Sequence, residues 1–324
     1  MLRDHLEHPE HFAAILTMDR QLISLFTYIE SISRTDLPVL ITGEVGSGKT
    51  LFAEAVHLSS GLRGEFVRAE AVGLGPDLLK PLLFGFSEGG KANGGLVEKA
   101  VGGSLYIDEI GETDLDTQGR ILHLLQDGKT AKRDPTRPRL IASTRHDLKV
   151  RMDKGQFRKD LFFRLRPHII EVPPLRARKG DIPLLADHFL TLGMEVYGKD
   201  RRPVLERSVL DLLKEHEYDG NVRELKDILF AAMGEEKGNR IREDRIRKII
   251  SRNLLGQVYA QSGQHDFLLR GAGGFPTFKQ AEEILIREAM GRSNNKQTHA
   301  AKLLGISRQA LNKRLKSKPF NSSE

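Results

Sequence analysis

VLITGEVGSGKT, from Val39 to Thr50, is an apolar run that breaks into glycines and ends on Lys-Thr. Gly43 to Thr50 fits the spacing G-x-x-x-x-G-K-[ST]. Each part of that pattern has a physical reason. A buried strand delivers the chain to a tight turn, glycines let backbone N–H groups approach phosphate oxygens, and a helix then begins with its positive end facing the anion. Gly43, Glu44, Val45, Gly46, Ser47, Gly48, Lys49, Thr50 and Leu51 are therefore expected to bind ATP. Lys49 would reach the β and γ phosphates, and the Thr50 hydroxyl would ligate Mg2+.

Working outward, GGSLYIDEI, Gly102 to Ile110, carries a strand through a sheet and releases two carboxylates at its carboxyl end, where ligands of open α/β sheets bind. Asp108 is expected to hold Mg2+ with Thr50, and Glu109 to orient or deprotonate the attacking water. PVLIT, GSLYID and PRLIAST alternate with helical stretches between Leu37 and Val172, which predicts an α/β fold with a parallel sheet covered by helices. PPLRARKGDIPLL then opens an all-helical region ending near Arg252, and SGQHDFLLRGAGGFP reads as a linker. The expected parts are an N-terminal tail over 1–14, an α/β ATPase subdomain over 15–172, a helical lid subdomain over 173–252, a linker over 253–276 and a small all-α domain over 277–319.

The 324 residues are 39% hydrophobic and 29% charged, with no Cys. Disulfides, thiolate metal sites and a cysteine nucleophile are excluded, and a reducing cytoplasm fits. No apolar run approaches the roughly 18 residues of a membrane helix, and MLRDHLEHPEHF is too polar for a signal peptide, so the chain reads as cytoplasmic and without membrane contact. The net charge is +7, and from Pro276 onward ten Lys or Arg face four Asp or Glu. A basic terminal module is the footprint of a phosphate-backbone binder.

Within that module KQTHAAKLLGISRQALNKRLKS, Lys296 to Ser317, has helix-turn-helix spacing. Thr298 to Leu304 forms one helix, Gly305 permits the turn, and Ser307 is a good N-cap for the next helix. Ile306, Ala310, Leu311 and Leu315 are expected inward, with Thr277 to Gly291 as a packing helix. Arg308 and Gln309 would then lie near base edges of double-stranded DNA, and Asn312, Lys313, Arg314 and Lys316 mainly at phosphates. Thr298 and Ser307 complete the expected DNA-binding set.

Taken in order, GEVGSGKT, LFG, GGSLYIDEIGE, QGRILHLLQDG, FRKDLFFRL, VPPLRARKGDIPLL, GNVREL and AAKLLGISRQALNKRL resemble the bacterial sigma-54-dependent transcription activators, from about Leu16 to the C-terminus. The resemblance implies an AAA+ P-loop ATPase with a helical lid and a Fis-type helix-turn-helix. It also implies assembly between a dimer and a hexameric or heptameric ring, with promoter or enhancer DNA and the RNA polymerase sigma-54 factor as partners. Carried over residue by residue, Arg158 and Arg164 would complete a neighbouring subunit's site, and Arg223 in GNVREL would contact the nucleotide from the lid.

Three departures stand out. The family's GAFTGA loop follows LFG, whereas here the shorter FSEGGKANGGLVE follows, so that Phe86, Ser87, Glu88, Gly89 and Gly90 take the sigma-contact position with Phe86 as the available aromatic. Glu70 replaces the Asn of the family's FVxxNC strand, and the sensor strand ends in Thr144-Arg145 instead of Thr-Asn. Two carboxylates close together cannot both ionise cheaply, so Arg145 is expected near Glu70, neutralising it and leaving Glu109 free. Two functional readings stay open at this level. One is a DNA-tethered ring ATPase acting on polymerase that holds sigma-54; the other is a sigma-54-independent DNA-binding regulator or repressor in which ATP controls assembly only. A replication initiator fits less well, because GNVREL and GISRQALNKRL match the activators.

Overall fold

The computed structural model describes residues 5–88, 91–126, 136–198, 201–235 and 240–261, together with 286, 289–290, 293, 297–304 and 306–316. It divides into a unit over residues 1–249 and a second over 250–324.

In chain order the strands of the first unit are β1 (Val39–Thr42), β2 (Phe66–Glu70), the hairpin β3 (Phe86–Glu88) and β4 (Lys91–Asn93), β5 (Ser104–Asp108), β6 (Arg139–Thr144) and β7 (His168–Glu171). Five of them form a parallel sheet in the order β2-β5-β6-β1-β7. Its residues read as near-continuous apolar runs because both faces are covered. Side chains alternate between two cores, Val39, Ile41, Tyr106, Ile141 and Ile170 on one face, Leu40, Leu105, Ile107, Leu140 and Ala142 on the other.

Against the first face pack α1 (Arg20–Ser33), whose N-cap Asp19 accepts a hydrogen bond from the Leu22 amide at 3.0 Å, and α2 (Lys49–Ser60). The start of the chain joins this core. Pro9–Phe12 makes a 3-10 turn, and the fully buried Phe12 stacks on Phe26 with ring centroids 4.5 Å apart. Burying one such ring stabilises the fold by about 2–3 kcal/mol, so the expected N-terminal tail, in its described residues, instead contributes Leu6 and Phe12 to the core. On the other face lie α3 (Pro76–Phe84), α4 (Leu96–Lys99), α5 (Leu115–Gln126), α6 (Leu148–Asp153) and α7 (Lys159–Leu165), which bury Ile121, Leu148, Leu161 and Leu165.

The lid follows as α8 (Ile182–Tyr197), α9 (Arg207–Glu215), α10 (Asn221–Glu235) and α11 (Glu243–Gln261), with β8 (Val204–Leu205) pairing parallel to β9 (Arg240–Ile241). Leu225, Ile228 and Leu229 of α10 are buried where it packs on α8. Helix α11 runs on to Gln261, so the linker expected from residue 253 does not begin there.

The second unit contains α12 (Gln297–Leu303) and α13 (Arg308–Lys316) around buried Ile286, Ala289, Ala300, Ala301 and Leu311, with Ile306 and Leu315 packed on them. The Ser307 hydroxyl accepts from the Ala310 amide at 3.1 Å, the expected N-cap. Ala310, expected inward, is only half-buried. Thr298, Ser307, Arg308, Gln309 and Arg314 are exposed and Asn312 is half-exposed. Gly305 and most of the expected packing helix lie outside the described residues.

Candidate active site

Parallel order places the carboxyl ends of β1, β2, β5 and β6 on one edge, and there they open a cavity of about 520 Å3. Of the residues expected from sequence, Val45, Gly46, Gly48, Lys49, Thr50, Glu70, Asp108, Glu109, Arg145 and Arg223 line it. Phe189, Val222 and Lys226 add the lid, and Arg68 and Val72 add the β2 side.

The loop between β1 and α2 is shaped by its glycines. Gly48 takes a left-handed conformation as the N-cap of α2. Gly46 sits at φ +72°, and a Cβ there would lie 2.1 Å from the Gly220 carbonyl oxygen, so only glycine lets the lid's backbone come this close. Val222 N–H accordingly donates to Gly46 O at 3.1 Å. Thr144 ties the loop from below, its carbonyl accepting from the Gly43 amide at 3.2 Å.

Lys49 Nζ donates to Gly43 O at 2.9 Å and Glu44 O at 3.1 Å, and forms an ion pair with Glu109 Oε1 at 3.0 Å. Glu109 Oε2 accepts from the Arg145 amide at 2.8 Å. Glu109 itself sits at φ +59°, a left-handed conformation rare for a non-glycine residue and common at functional sites. Asp108 is held from behind: Ser143 Oγ donates to its Oδ1 at 2.5 Å and Tyr106 OH at 3.0 Å. Ser143 Oγ also accepts from the Glu109 amide at 3.1 Å and lies 3.0 Å from Tyr106 OH, whose single proton it shares with Asp108 Oδ1. Burial pushes the Tyr106 phenol upward, so it stays a neutral donor. Thr50 Oγ1 lies 3.5 Å from the same Tyr106 oxygen, so Thr50 and Asp108 converge on one place. Two hard oxygen donors beside a phosphate loop fit Mg2+.

The expected pair Glu70–Arg145 does not form. Glu70 Oε1 pairs with Arg68 at 2.5 Å, while the Arg145 guanidinium pairs with Glu112 at 3.0 Å. β5 lies between β2 and β6, and two strand spacings amount to about 9.5 Å. Arg68 stands two residues from Glu70 on the same strand face. Glu112 also takes His146 Nε2 at 2.6 Å and Arg151 at 3.2 Å, and the His146 contact, helped by Arg145 and Arg151, holds its carboxyl down at about 2.

Three residues absent from the sequence-based set fasten the lid to the loop. Arg176 grips Glu44 through two hydrogen bonds, of 2.7 and 2.5 Å, and holds that carboxyl at about 2. Arg178, buried beside Asp181, donates to Ser47 O at 2.8 Å, and burial pushes its guanidinium below the usual arginine range. Asn221, fully buried at φ +54°, donates to Glu44 Oε2 at 3.1 Å and Val45 O at 3.0 Å while accepting from the Leu175 amide at 2.7 Å. All three lie in PPLRARKGD and GNVREL, two stretches that the sequence marks out by their motifs.

Arg158 and Arg164 do not line the cavity. Arg158, at the N-cap of α7, pairs with Asp160 at 2.8 Å, and Arg164 donates to Leu125 O at 2.8 and 3.2 Å. Phe86 is 48% exposed at the base of the β3–β4 hairpin, opposite Asn93, rather than at its tip. The hairpin neck is narrow: a Cβ on Gly95 would lie 2.3 Å from Gly85 N. Gly89 and Gly90 lie outside the described residues.

Three family models match the chain: the Sigma-54 interaction domain over residues 15–171, the AAA+ ATPase lid domain over 176–260, and the bacterial regulatory protein, Fis family, over 277–317. The chain is 33% identical over 330 residues to the DNA-binding transcriptional regulator NtrC of Bradyrhizobium sp. (strain RP501 Parasponia), covering 90% of this chain and 67% of that protein. It is 32% identical over 325 residues to NtrC of Rhizobium meliloti (strain 1021), with the same 90% and 67% coverage, so it spans about two thirds of the length of either. Among solved structures, NtrX from Brucella abortus in complex with ATP superposes with a TM-score of 0.65 at 27% identity, covering 94% of this chain and 69% of that one. No helix among the described residues is long and apolar enough to cross a membrane.

Proposed function

The chain belongs to the sigma-54 activator family, an AAA+ ATPase with a Fis-type DNA-binding domain, and from that membership we propose that it is an ATP-driven transcription regulator acting on RNA polymerase that holds sigma-54. The observation that carries this reading is the single cavity in which the phosphate loop, the Asp108–Glu109 pair and the lid residue Arg223 meet.

In the proposed mechanism Lys49, already stripped of most water and held by two carbonyls, exchanges its Glu109 partner for phosphate oxygens. That exchange frees Glu109 Oε1 to accept a proton from the attacking water, while the Arg145 amide keeps Oε2 oriented. Thr50 and Asp108 would hold Mg2+, which neutralises charge on the transferring phosphoryl group when bound. Arg164 and Arg158, outside the cavity of their own chain, would complete the site of a neighbouring copy in a ring, leaving Leu125 O and Asp160 to do so. Arg223 would report the nucleotide to the lid through α10. The proposed work is cytoplasmic and on DNA, which the Fis-family match over residues 277–317 supports, with Arg308 and Gln309 at the exposed start of α13 reading bases and Asn312, Lys313, Arg314 and Lys316 on phosphates. The hairpin from Phe86 would be the sigma-54 contact despite its short reach.

The test is capture of purified sigma-54 by the intact chain with ATP or a transition-state analogue. Nucleotide-dependent capture is expected. Promoter binding without capture would remove sigma-54 from this reading and leave the ATPase standing.

A further inference from the structure

β2 carries an arginine into the catalytic edge for which the mechanism above has no task. Arg68 Nη2 lies 2.8 Å from Asp108 Oδ2 and 2.5 Å from Glu70 Oε1, so one guanidinium bridges both carboxylates. The bridge is a matter of strand geometry. Glu70 and Asp108 are register partners across β2 and β5, and Arg68 shares the Glu70 face two residues earlier. Asp108 thus has its two oxygens in different hands. Oδ1 is fixed by the hydroxyls of Ser143 and Tyr106, and Oδ2, the oxygen turned from that clamp, is covered by a cation. Arg68 is 40% exposed and Glu70 63%, against 18% for Asp108. Arg68 therefore has room to move, and its outward partner is the solvated one.

We propose that Arg68 is a tethered cation that neutralises Asp108 in the metal-free protein and withdraws to Glu70 when a divalent cation enters. The inference rests on the reading of Asp108 as a metal carboxylate. A carboxylate left alone beside Glu109 and Glu70 would carry repulsion that an arginine removes. Loading the metal then exchanges one cation for another instead of simply adding charge. Glu70 is what makes the exchange cheap, because a guanidinium released next to a waiting carboxylate keeps a partner, whereas one released toward a neutral amide would not. The acidic residue at position 70 is then the acceptor for a competitor of the metal.

The competition is measured with Mn2+ as the probe, by electron paramagnetic resonance of the free ion, titrated into the full chain with saturating ADP. Wild type should bind one Mn2+ per chain; no binding would overturn the metal reading and this inference with it. Arg68→Ala should lower the apparent Kd for Mn2+ about fivefold, the worth of one partly exposed ion pair. Glu70→Gln should raise it by a similar factor in the wild-type background and leave it unchanged in the Arg68→Ala background, because Glu70 acts through Arg68. Equal, additive effects of Glu70→Gln in both backgrounds would mean that both groups act only through their field, and would overturn the exchange. Weaker Mn2+ and weaker ADP binding in Arg68→Ala would make Arg68 a phosphate contact and overturn it as well.

Discussion

Lys49 and Glu109 are paired at 3.0 Å with side chains only 7% and 9% exposed, so the loop's cation and the carboxylate proposed as general base neutralise each other. Glu109→Gln keeps the size of the side chain and its acceptor for the Arg145 amide, and Lys49 retains its two carbonyl partners. We expect this variant to bind ATP and to hydrolyse it about 10^2 to 10^4 times more slowly, the usual worth of a positioned base. Calorimetry with ATP and a turnover assay on the same sample check it.

Arg164 rests on Leu125 O, the carbonyl near the end of α5, and does not line its own cavity. Wild-type turnover per chain should rise with protein concentration, and Arg164→Ala should bind ATP normally while losing about 10^3-fold in turnover. Mixing Arg164→Ala with Lys49→Ala should restore part of the activity, since a mixed ring contains some junctions with an intact loop and an intact arginine. Equal activity in dilute and concentrated wild type would rule out the trans arginine.

Asn221 makes three hydrogen bonds from a buried left-handed position. Asn221→Ala loses all three and leaves alanine in a left-handed conformation that asparagine tolerates better, at a cost of about 3 kcal/mol. A fall in Tm of roughly 5–10 °C is expected. Asn221→Gly removes the bonds and relieves the backbone, so it should fall by less; an equal fall would show that the conformation contributes nothing.

Glu112 is lowered to about 2 by His146, Arg145 and Arg151. Because the folded carboxyl is more acidic than the unfolded one, its contribution is complete above about pH 4.5 and disappears as pH falls toward 2. With the side chain 27% exposed, that contribution is on the order of 2 kcal/mol. Glu112→Gln should therefore melt earlier than wild type at pH 7, and the two melting curves should converge between pH 4.5 and 2.

What could be read in advance was local. The loop at Gly43, the strand ending in Asp108-Glu109 and the Ser307 cap each sit within a few consecutive residues, and their physics is complete in that window. Glu70 shows where such reading stops. The departures from the family's pattern point to Arg145 as its partner, yet β5 intervenes, and the nearer cation is Arg68 on its own strand face. Phe12 reads as part of a tail because one aromatic in a polar stretch has no periodicity, although its stacking on Phe26 makes it core. Asn221 and Arg176 depended on the lid folding back over the loop, which brings together residues more than 130 positions apart.

Ser143 gives a single oxygen atom to three neighbours: it holds Asp108, receives Tyr106, and anchors the amide of Glu109. In the proposed mechanism magnesium affinity and bond cleavage therefore share one hinge pin. Loss of that hydroxyl would blunt both together, so a single substitution at this position near the carboxyl end of β6 would not yield a chain that grips magnesium firmly yet cannot split the nucleotide.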